Sequence, residues 1–181
     1  LDAHFERLQD SARRANIPLS LDRKRLRLSL RQMIDEAGYG DVRFRITIPR
    51  DARPIIISLE PFTPPAAELI ANGARCITAP NKARHDPTTK KTAWMHTRQH
   101  IIDSLSAGIY DAILLDNDGN MLEGLGSNFY ATVDRVLYTA GEGVLAGIAR
   151  QIVLEVAPSL MTVRMEAVNI RDLKSISEAF I

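Results

Sequence analysis

The sequence has little cysteine, little net charge and few histidines. Cys76 is the only cysteine among 181 residues, so no internal disulfide can form. This composition is typical of a reducing compartment, and we expect the protein to be cytoplasmic. The formal net charge is +1, which gives no general attraction to nucleic acid. One cysteine and four scattered histidines form no metal-ligand pattern. We therefore expect neither a metal nor a nucleic-acid partner.

Long apolar runs are also missing. No run approaches the roughly 18 residues that a membrane-spanning helix needs, so we expect no membrane association. The first residues, Leu1 to His4, read as a charged helical pattern and not as a signal peptide. The chain starts without methionine and stops within the apolar run Ala179-Phe180-Ile181. We expect further sequence on both sides.

A cluster of basic residues is the one feature that could indicate nucleic-acid binding. No aromatic residue is interleaved for base stacking, and nearby acidic residues partly balance the charge. We interpret the cluster as the solvated face of a helix. It comprises Arg23, Lys24, Arg25, Arg27 and Arg31.

The hydrophobic and charged content, 45% and 25%, is that of a globular protein. The pattern predicts an α/β (α+β) fold in two domains. Three prolines between Pro61 and Pro65 indicate an extended linker. We predict a small N-terminal domain over residues 1–63, with two helices beside an antiparallel hairpin. Residues 64–181 would form a larger, mostly β domain with flanking helices.

The predicted elements follow from periodicity and turn signals. Asp116-Asn117-Asp118-Gly119 and Asp134-Arg135 predict two hairpin turns. Helices are predicted over 4–17, 22–37, 93–105, 147–156 and 170–176. Strands are predicted over 42–48, 55–59, 74–78, 112–115, 120–122, 129–133, 136–139 and 161–168.

The most informative pair is Lys91 and Glu123, which lies 32 residues further on. A lysine can bind the carbonyl carbon of an aldehyde cofactor covalently, and a glutamate can keep a pyridine nitrogen protonated. The ordinary alternative for the lysine is a solvated surface charge. Lys90 competes for the covalent role, but the spacing to Glu123 and the following Thr92 favour Lys91.

Three further segments could hold an anionic or planar ligand. Gly147 precedes a helix whose first amides, at Ile148 and Ala149, would be available to an anion. Arg7 could pair with a phosphate as a bidentate donor. Gly124 and Gly126 would allow a planar ring to approach the backbone closely. The alternatives are a plain helix start, a surface arginine and a hairpin loop.

The order of these segments resembles that of the class IV aminotransferases, the fold-type IV pyridoxal phosphate enzymes. His4 to Leu8 resembles H-x-x-R-L, Glu123 to Phe129 resembles E-G-x-x-x-N-[FLIV], and Gly147 to Arg150 resembles G-I-T-R. Arg84, Pro87 and Lys91 resemble the family's arginine–proline–lysine run. Ser177 to Phe180 resembles D-E-[AV]-F.

The resemblance implies a pyridoxal 5′-phosphate cofactor and a homodimer. Lys91 would be the catalytic residue, both covalent anchor and general base, and Glu123 would contact the ring nitrogen. Arg7 and the α-helix amides would bind the phosphate. The implied cofactor-binding residues are Arg7, Lys91, Glu123, Asn128, Gly147, Ile148 and Ala149.

The implied reaction is amino-group transfer between a branched-chain-like or D-amino acid and a 2-oxo acid. A lyase resembling aminodeoxychorismate lyase is the first alternative, because it would use the same residues. A non-catalytic homologue that acts as a binding module is the second. Ala149 stands where the family usually has threonine, so a phosphate-binding hydroxyl is missing.

Overall fold

The computed structural model describes residues 1–51, 54–80, 82–84 and 92–181. Within them the chain divides into two compact units, Leu1–Gly73 and Ala74–Ile181. The predicted linker at residues 61–65 precedes this division, because a short helix, Ala67–Asn72, groups with the first unit. The assignment of functional domains to 1–63 and 64–181 stays a prediction.

The first unit contains three helices and one hairpin. Asp22 caps the second helix by accepting a 2.9 Å hydrogen bond from the Arg25 N–H, and Gly38 ends it at φ +64°. Phe5, Leu26 and Leu30 form a buried apolar core in the first unit. The elements are α1 (Asp2–Arg14), α2 (Arg23–Ala37), β1 (Val42–Thr47), β2 (Ile56–Pro61) and α3 (Ala67–Asn72), with β1 and β2 antiparallel as predicted.

The second unit begins with a three-stranded sheet ordered β3-β4-β5. Its elements are β3 (Cys76–Ala79), α4 (Ala93–Asp103), β4 (Asp111–Leu115) and β5 (Met121–Glu123). Every residue of the central strand β4 is buried. Its side chains alternate between two apolar clusters, Ile113 and Leu115 in one and Ala112 and Leu114 in the other. The predicted β4–β5 hairpin is confirmed, whereas the parallel β3–β4 pair was not predicted.

A four-stranded sheet ordered β8-β7-β6-β9 completes the unit. Asp134 and Arg135, at φ +48° and +63°, form the predicted hairpin turn. The predicted strand over 161–168 was too long, since only three residues pair. Strand β9 was missed; its three residues show no alternation, and it pairs with β6, which is far away in the sequence. The elements are β6 (Tyr130–Val133), β7 (Val136–Tyr138), α5 (Ile148–Val156), β8 (Thr162–Arg164) and β9 (Glu178–Phe180), with 3₁₀ turns at Ala157–Ser159 and Ile170–Ser175.

The combination of helices with mixed sheets confirms the predicted α+β class. Among the described residues, no helix is both long enough and apolar enough to cross a bilayer.

Candidate functional site

Glu123 is the last residue of β5 and is buried, with 3% of its surface exposed. The chain then turns back at once, because the Gly124 N–H donates to the Ser127 carbonyl at 3.0 Å. An isolated antiparallel bridge pairs Glu123 with Asn128. This loop, residues 124–127, therefore places the two predicted site residues side by side.

The two carboxylate oxygens of Glu123 have different surroundings. Oε2 accepts a 3.1 Å hydrogen bond from the Leu145 N–H. Oε1 lies 3.5 Å from Arg84 Nη1, and it has no well-formed hydrogen bond among the residues that the structure describes. Burial raises the pKa of Glu123, although the Leu145 N–H and the Arg84 charge act in the opposite direction. A buried acceptor of this kind fits a cationic or N–H-bearing ligand.

Arg84, which lies beside this carboxylate, also contacts Trp94. The Arg84 guanidinium lies 5.1 Å from the centroid of the Trp94 ring, within cation–π range. Trp94 Nε1 donates at 3.2 Å to the carbonyl of Leu125 in the loop that follows Glu123. The start of α4 is thereby connected to the loop.

Leu145 joins the Glu123 loop to the start of α5. Its N–H donates to Glu123, and its carbonyl accepts from Asn128 Nδ2 at 2.8 Å. The same carbonyl accepts from the Gly147 N–H at 2.8 Å. A Cβ atom at position 147 would overlap Asn128 Oδ1. Glu123, Asn128 and Gly147 are thus brought together.

The N-terminus of α5 has the geometry of an anion site. Gly147 is the residue before the helix, and Gln151 N–H to Gly147 carbonyl, at 3.0 Å, is the first helical hydrogen bond. The amides of Ile148 and Ala149 lie in the first turn, where no intrahelical acceptor exists. With the helix dipole they favour a bound anion such as a phosphate.

Asp111 is a buried site neighbour that sequence reasoning missed. It begins β4 with 8% of its surface exposed. Its carboxylate accepts from the Leu125 N–H at 3.1 Å and from Ser127 Oγ at 3.2 Å, both in the loop. The sequence signal that could have indicated a buried role for Asp111 is its position directly before the apolar run 112–115.

The loop glycines lie against neighbouring side chains. A Cβ at Gly124 would lie 2.6 Å from Asp111 Oδ2, and one at Gly126 would lie 2.7 Å from Arg98 Nη1. Neighbouring side chains occupy these spaces. In the described residues, the glycines thus allow close packing with Asp111 and Arg98. The approach of a planar ring stays a prediction.

Two further predicted site residues are not tested by this geometry. Arg7 lies on α1 in the first unit and is half-buried, and burial lowers the pKa of its guanidinium. Lys91, with its competitor Lys90, lies outside the described residues. Within the described part of the chain, no cluster of three or more histidine, cysteine or acidic residues could hold a metal.

Comparison with known proteins identifies the family. The family model described as amino-transferase class IV matches residues 1–181, the whole chain. The chain belongs to the class IV aminotransferase family. The resemblance inferred from the motifs is thereby confirmed.

Three relatives illustrate where the chain lies within the class IV aminotransferases. A Methanocaldococcus jannaschii protein named putative branched-chain-amino-acid aminotransferase is 26% identical over 100% of this chain and 68% of its own length. A branched-chain aminotransferase from the thermophilic archaeon Thermoproteus uzoniensis, solved with norvaline, has a TM-score of 0.80 at 23% identity and covers 98% of this chain. The 4-amino-4-deoxychorismate lyase of Pseudomonas aeruginosa has a TM-score of 0.78 at 22% identity over 99% of this chain.

At 23% and 22% identity, the likeness to the two solved structures shows the fold alone. The chain spans 66% of the aminotransferase structure and 72% of the lyase structure. This class IV aminotransferase chain thus corresponds to about two thirds of the length of its relatives. The family is enzymatic.

Proposed function

We propose that the protein is a pyridoxal 5′-phosphate-dependent aminotransferase that moves an amino group between an amino acid and a 2-oxo acid. The observation that carries the proposal is the connection between Glu123 and the start of α5. One buried carboxylate oxygen, Oε1, lies 3.5 Å from Arg84 Nη1 and has no well-formed hydrogen bond among the described residues. The other, Oε2, accepts from the N–H of Leu145, two residues before Gly147. A ligand that carries both a cationic ring atom and a phosphate could place the ring atom at Glu123 Oε1 and the phosphate at the start of α5.

The described residues fit this cofactor at both ends. Glu123 would contact the ring nitrogen, and Asn128 would hold the neighbouring backbone in place through its hydrogen bond to Leu145. The amides of Ile148 and Ala149, after Gly147, would bind the phosphate. From the motifs we assign Arg7 as a second phosphate ligand and Lys91 as the covalent anchor. When bound, pyridoxal phosphate supplies an electron sink for negative charge at the substrate α-carbon.

Glu123 would hold a proton on the ring nitrogen. A buried carboxylate is stable as an anion only beside positive charge or N–H donors. Leu145 and Arg84 supply one of each on the protein side. A protonated ring nitrogen would complete the set at Oε1. Lys91, once released from the cofactor, would move the proton at the substrate α-carbon.

The phosphate end would depend mainly on backbone groups. Ala149 offers an N–H but no hydroxyl, so it can donate only one hydrogen bond there. Backbone amides at a helix start are fixed by the helix itself and need no side-chain ordering. We therefore assign anchoring to the α5 amides together with the charge of Arg7.

Relatives named as branched-chain aminotransferases support a branched-chain-like substrate. A branched-chain-like or D-amino acid would be the donor, and a 2-oxo acid the acceptor. The protein would act as a cytoplasmic homodimer. A lyase is the second candidate, because the lyase of Pseudomonas aeruginosa shares the fold over nearly the whole chain. A non-catalytic binding module is the third.

Absorption spectroscopy of the purified protein tests the cofactor assignment. Protein incubated with pyridoxal phosphate should show a visible band that shifts when an amino acid is added. Lys91→Ala should lose the covalent attachment, and Lys90→Ala is the matched control that should keep it. Mass spectrometry after borohydride reduction should locate the label on Lys91. A band and a label unchanged in Lys91→Ala would overturn the assignment.

Consumption of the acceptor separates the candidate reactions. Valine, D-alanine and aminodeoxychorismate are offered as donors, each with and without a 2-oxo acid. An aminotransferase consumes the 2-oxo acid in proportion to product. A lyase releases pyruvate from aminodeoxychorismate without an acceptor. A protein that takes up no covalent cofactor would be the binding module.

A further inference from the structure

We propose that Asp111 is a positioning residue that fixes the loop between Glu123 and Asn128 in its cofactor-binding position. The proposal rests on the proposed pyridoxal phosphate function. Asp111, Leu125 and Ser127 are here called the loop clasp. Asp111 lies outside the family motifs given above, and Leu125 and Ser127 occupy unspecified positions within one of them. The clasp acts on Glu123 only through the backbone.

The contacts of the clasp come from two sides of one carboxylate. Asp111 Oδ1 accepts from the Leu125 N–H at 3.1 Å and from the Ala112 N–H at 2.8 Å. Asp111 Oδ2 accepts from Ser127 Oγ at 3.2 Å. Hydrogen bonds to an ionised acceptor are stronger than neutral ones, and burial limits competition from water. One side chain thus ties β4 to two positions of the loop.

The clasp is closely packed at Gly124. A Cβ at Gly124 would overlap Ser127 Oγ and would lie 2.6 Å from Asp111 Oδ2. Real Cβ atoms essentially never approach that closely, so residue 124 must be glycine while Asp111 keeps its place. The loop backbone is therefore pressed directly against the Asp111 carboxylate.

Among the described residues, the loop is also attached by apolar packing, since the buried Leu125 side chain clusters with Ala112 and Leu114. The Gly124–Ser127 hydrogen bond and the Glu123–Asn128 bridge are internal to the turn. Trp94 Nε1 supplies an external contact, at the Leu125 carbonyl. Without the Asp111 carboxylate, the turn could shift as a body. The cofactor site needs its ligands held to within a fraction of an ångström, so such a shift would weaken binding.

A graded set of variants tests the clasp. Asp111→Asn keeps the size and can still accept from the two N–H groups. Asp111→Ala removes every acceptor, and Ser127→Ala removes one donor. Asp103→Ala is the matched control, since Asp103 is an exposed carboxylate on α4 that bonds only Gln99 among the described residues.

Two measurements are made on the full chain. The first is the dissociation constant of pyridoxal phosphate. The second is the emission maximum and acrylamide quenching of Trp94 in the absence of cofactor. Trp94 is the only tryptophan, and its bond to Leu125 makes it a direct reporter of the loop. Urea unfolding of each variant records global stability.

The expected order is a loss of affinity of about threefold in Asp111→Asn and Ser127→Ala and of at least about tenfold in Asp111→Ala. Each loss should accompany a change in Trp94 quenching, and Asp103→Ala should match the original chain. If Asp111→Ala does not fold, the two milder variants decide. Unchanged affinity in folded variants, or reduced affinity with unchanged Trp94 quenching, would overturn the clasp alone. Failure of the original chain to bind the cofactor would overturn the proposed function as well.

Discussion

Asn128 Oδ1 occupies the space in which a side chain at position 147 would begin. Gly147 has φ −65° and ψ 149°, a backbone conformation open to any residue. Glycine is therefore required there for space and not for backbone freedom. Asn128 also donates to the Leu145 carbonyl at 2.8 Å. The two residues of separate motifs thus form one packed contact at the start of α5.

The first prediction concerns this contact. Gly147→Ala should displace the Asn128 side chain and break its hydrogen bond to Leu145. We expect a loss of about 1–2 kcal/mol in the free energy of unfolding and a weaker affinity for pyridoxal phosphate. Urea unfolding and cofactor titration measure the two effects.

A double-mutant cycle provides the control for this first prediction. Asn128→Ala removes the atom that the new methyl group would meet. Adding Gly147→Ala to that variant should therefore cost much less than adding it to the original chain. Strictly additive costs would mean that the clash with Asn128 is not the cause.

Local signals in the sequence were sufficient for the ends of α2 and for the hairpin turns, whereas α1 ends at Arg14 and not at the predicted residue 17. Asp22 and Gly38 identify both ends of α2, because each acts on backbone groups a few residues away. Asp134 and Arg135 identify a turn for the same reason. Through the resemblance to a family, the order of motifs also predicts that Glu123 and Gly147 belong to one site. In the fold the two residues are linked through Leu145.

Contacts between distant residues could not be predicted in this way. The Asp111 carboxylate binds groups 14 and 16 residues further along, and Glu123 binds an amide 22 residues away. No periodicity within a strand reports such partners. The parallel β3–β4 pair and strand β9 were missed for the same reason, since their pairing depends on segments that are far apart in sequence.

The second prediction concerns the pH dependence contributed by Glu123. Its pKa in the folded protein lies above the unfolded value of 4.5, chiefly because it is buried. The folded state therefore holds the proton more tightly. This contribution to stability is fully present below the unfolded pKa and is lost as pH rises through the folded pKa. The slope is at most about 1.4 kcal/mol per pH unit.

Glu123→Gln isolates that contribution, because glutamine does not titrate and can still accept from the Leu145 N–H. Without cofactor, the variant should gain stability relative to the original chain as pH rises above 4.5. Urea unfolding of both proteins between pH 4 and about 8 measures the difference. Parallel pH profiles would contradict the raised pKa.

The third prediction concerns Arg150, the last residue of the Gly147–Arg150 motif. Its side chain is buried, and Nη2 donates to the buried carbonyl of Ala140 at 2.7 Å. Arg150→Met would leave that carbonyl without this donor, at a cost of about 2 kcal/mol in the free energy of unfolding. Arg171→Met, at an exposed position, should change stability by less than about 0.5 kcal/mol. Equal losses in the two variants, measured by urea unfolding, would argue against a structural role for Arg150.

The last prediction concerns acid stability at the Asp116 turn. Burial raises the pKa of Asp116, but hydrogen bonds from the Asn120 side chain and from the N–H groups of Asn120 and Asp118 outweigh it, so the pKa falls below 3.8. A carboxyl with a lowered folded pKa stabilises the protein above its unfolded pKa, and this stabilisation is lost as pH falls through the folded value. Asp116→Ala should cost about 1–2 kcal/mol at pH 7 and progressively less below pH 3.8. Asp118→Ala, which removes an exposed carboxylate from the same turn, should show neither the cost nor the acid dependence when urea unfolding is followed across that range.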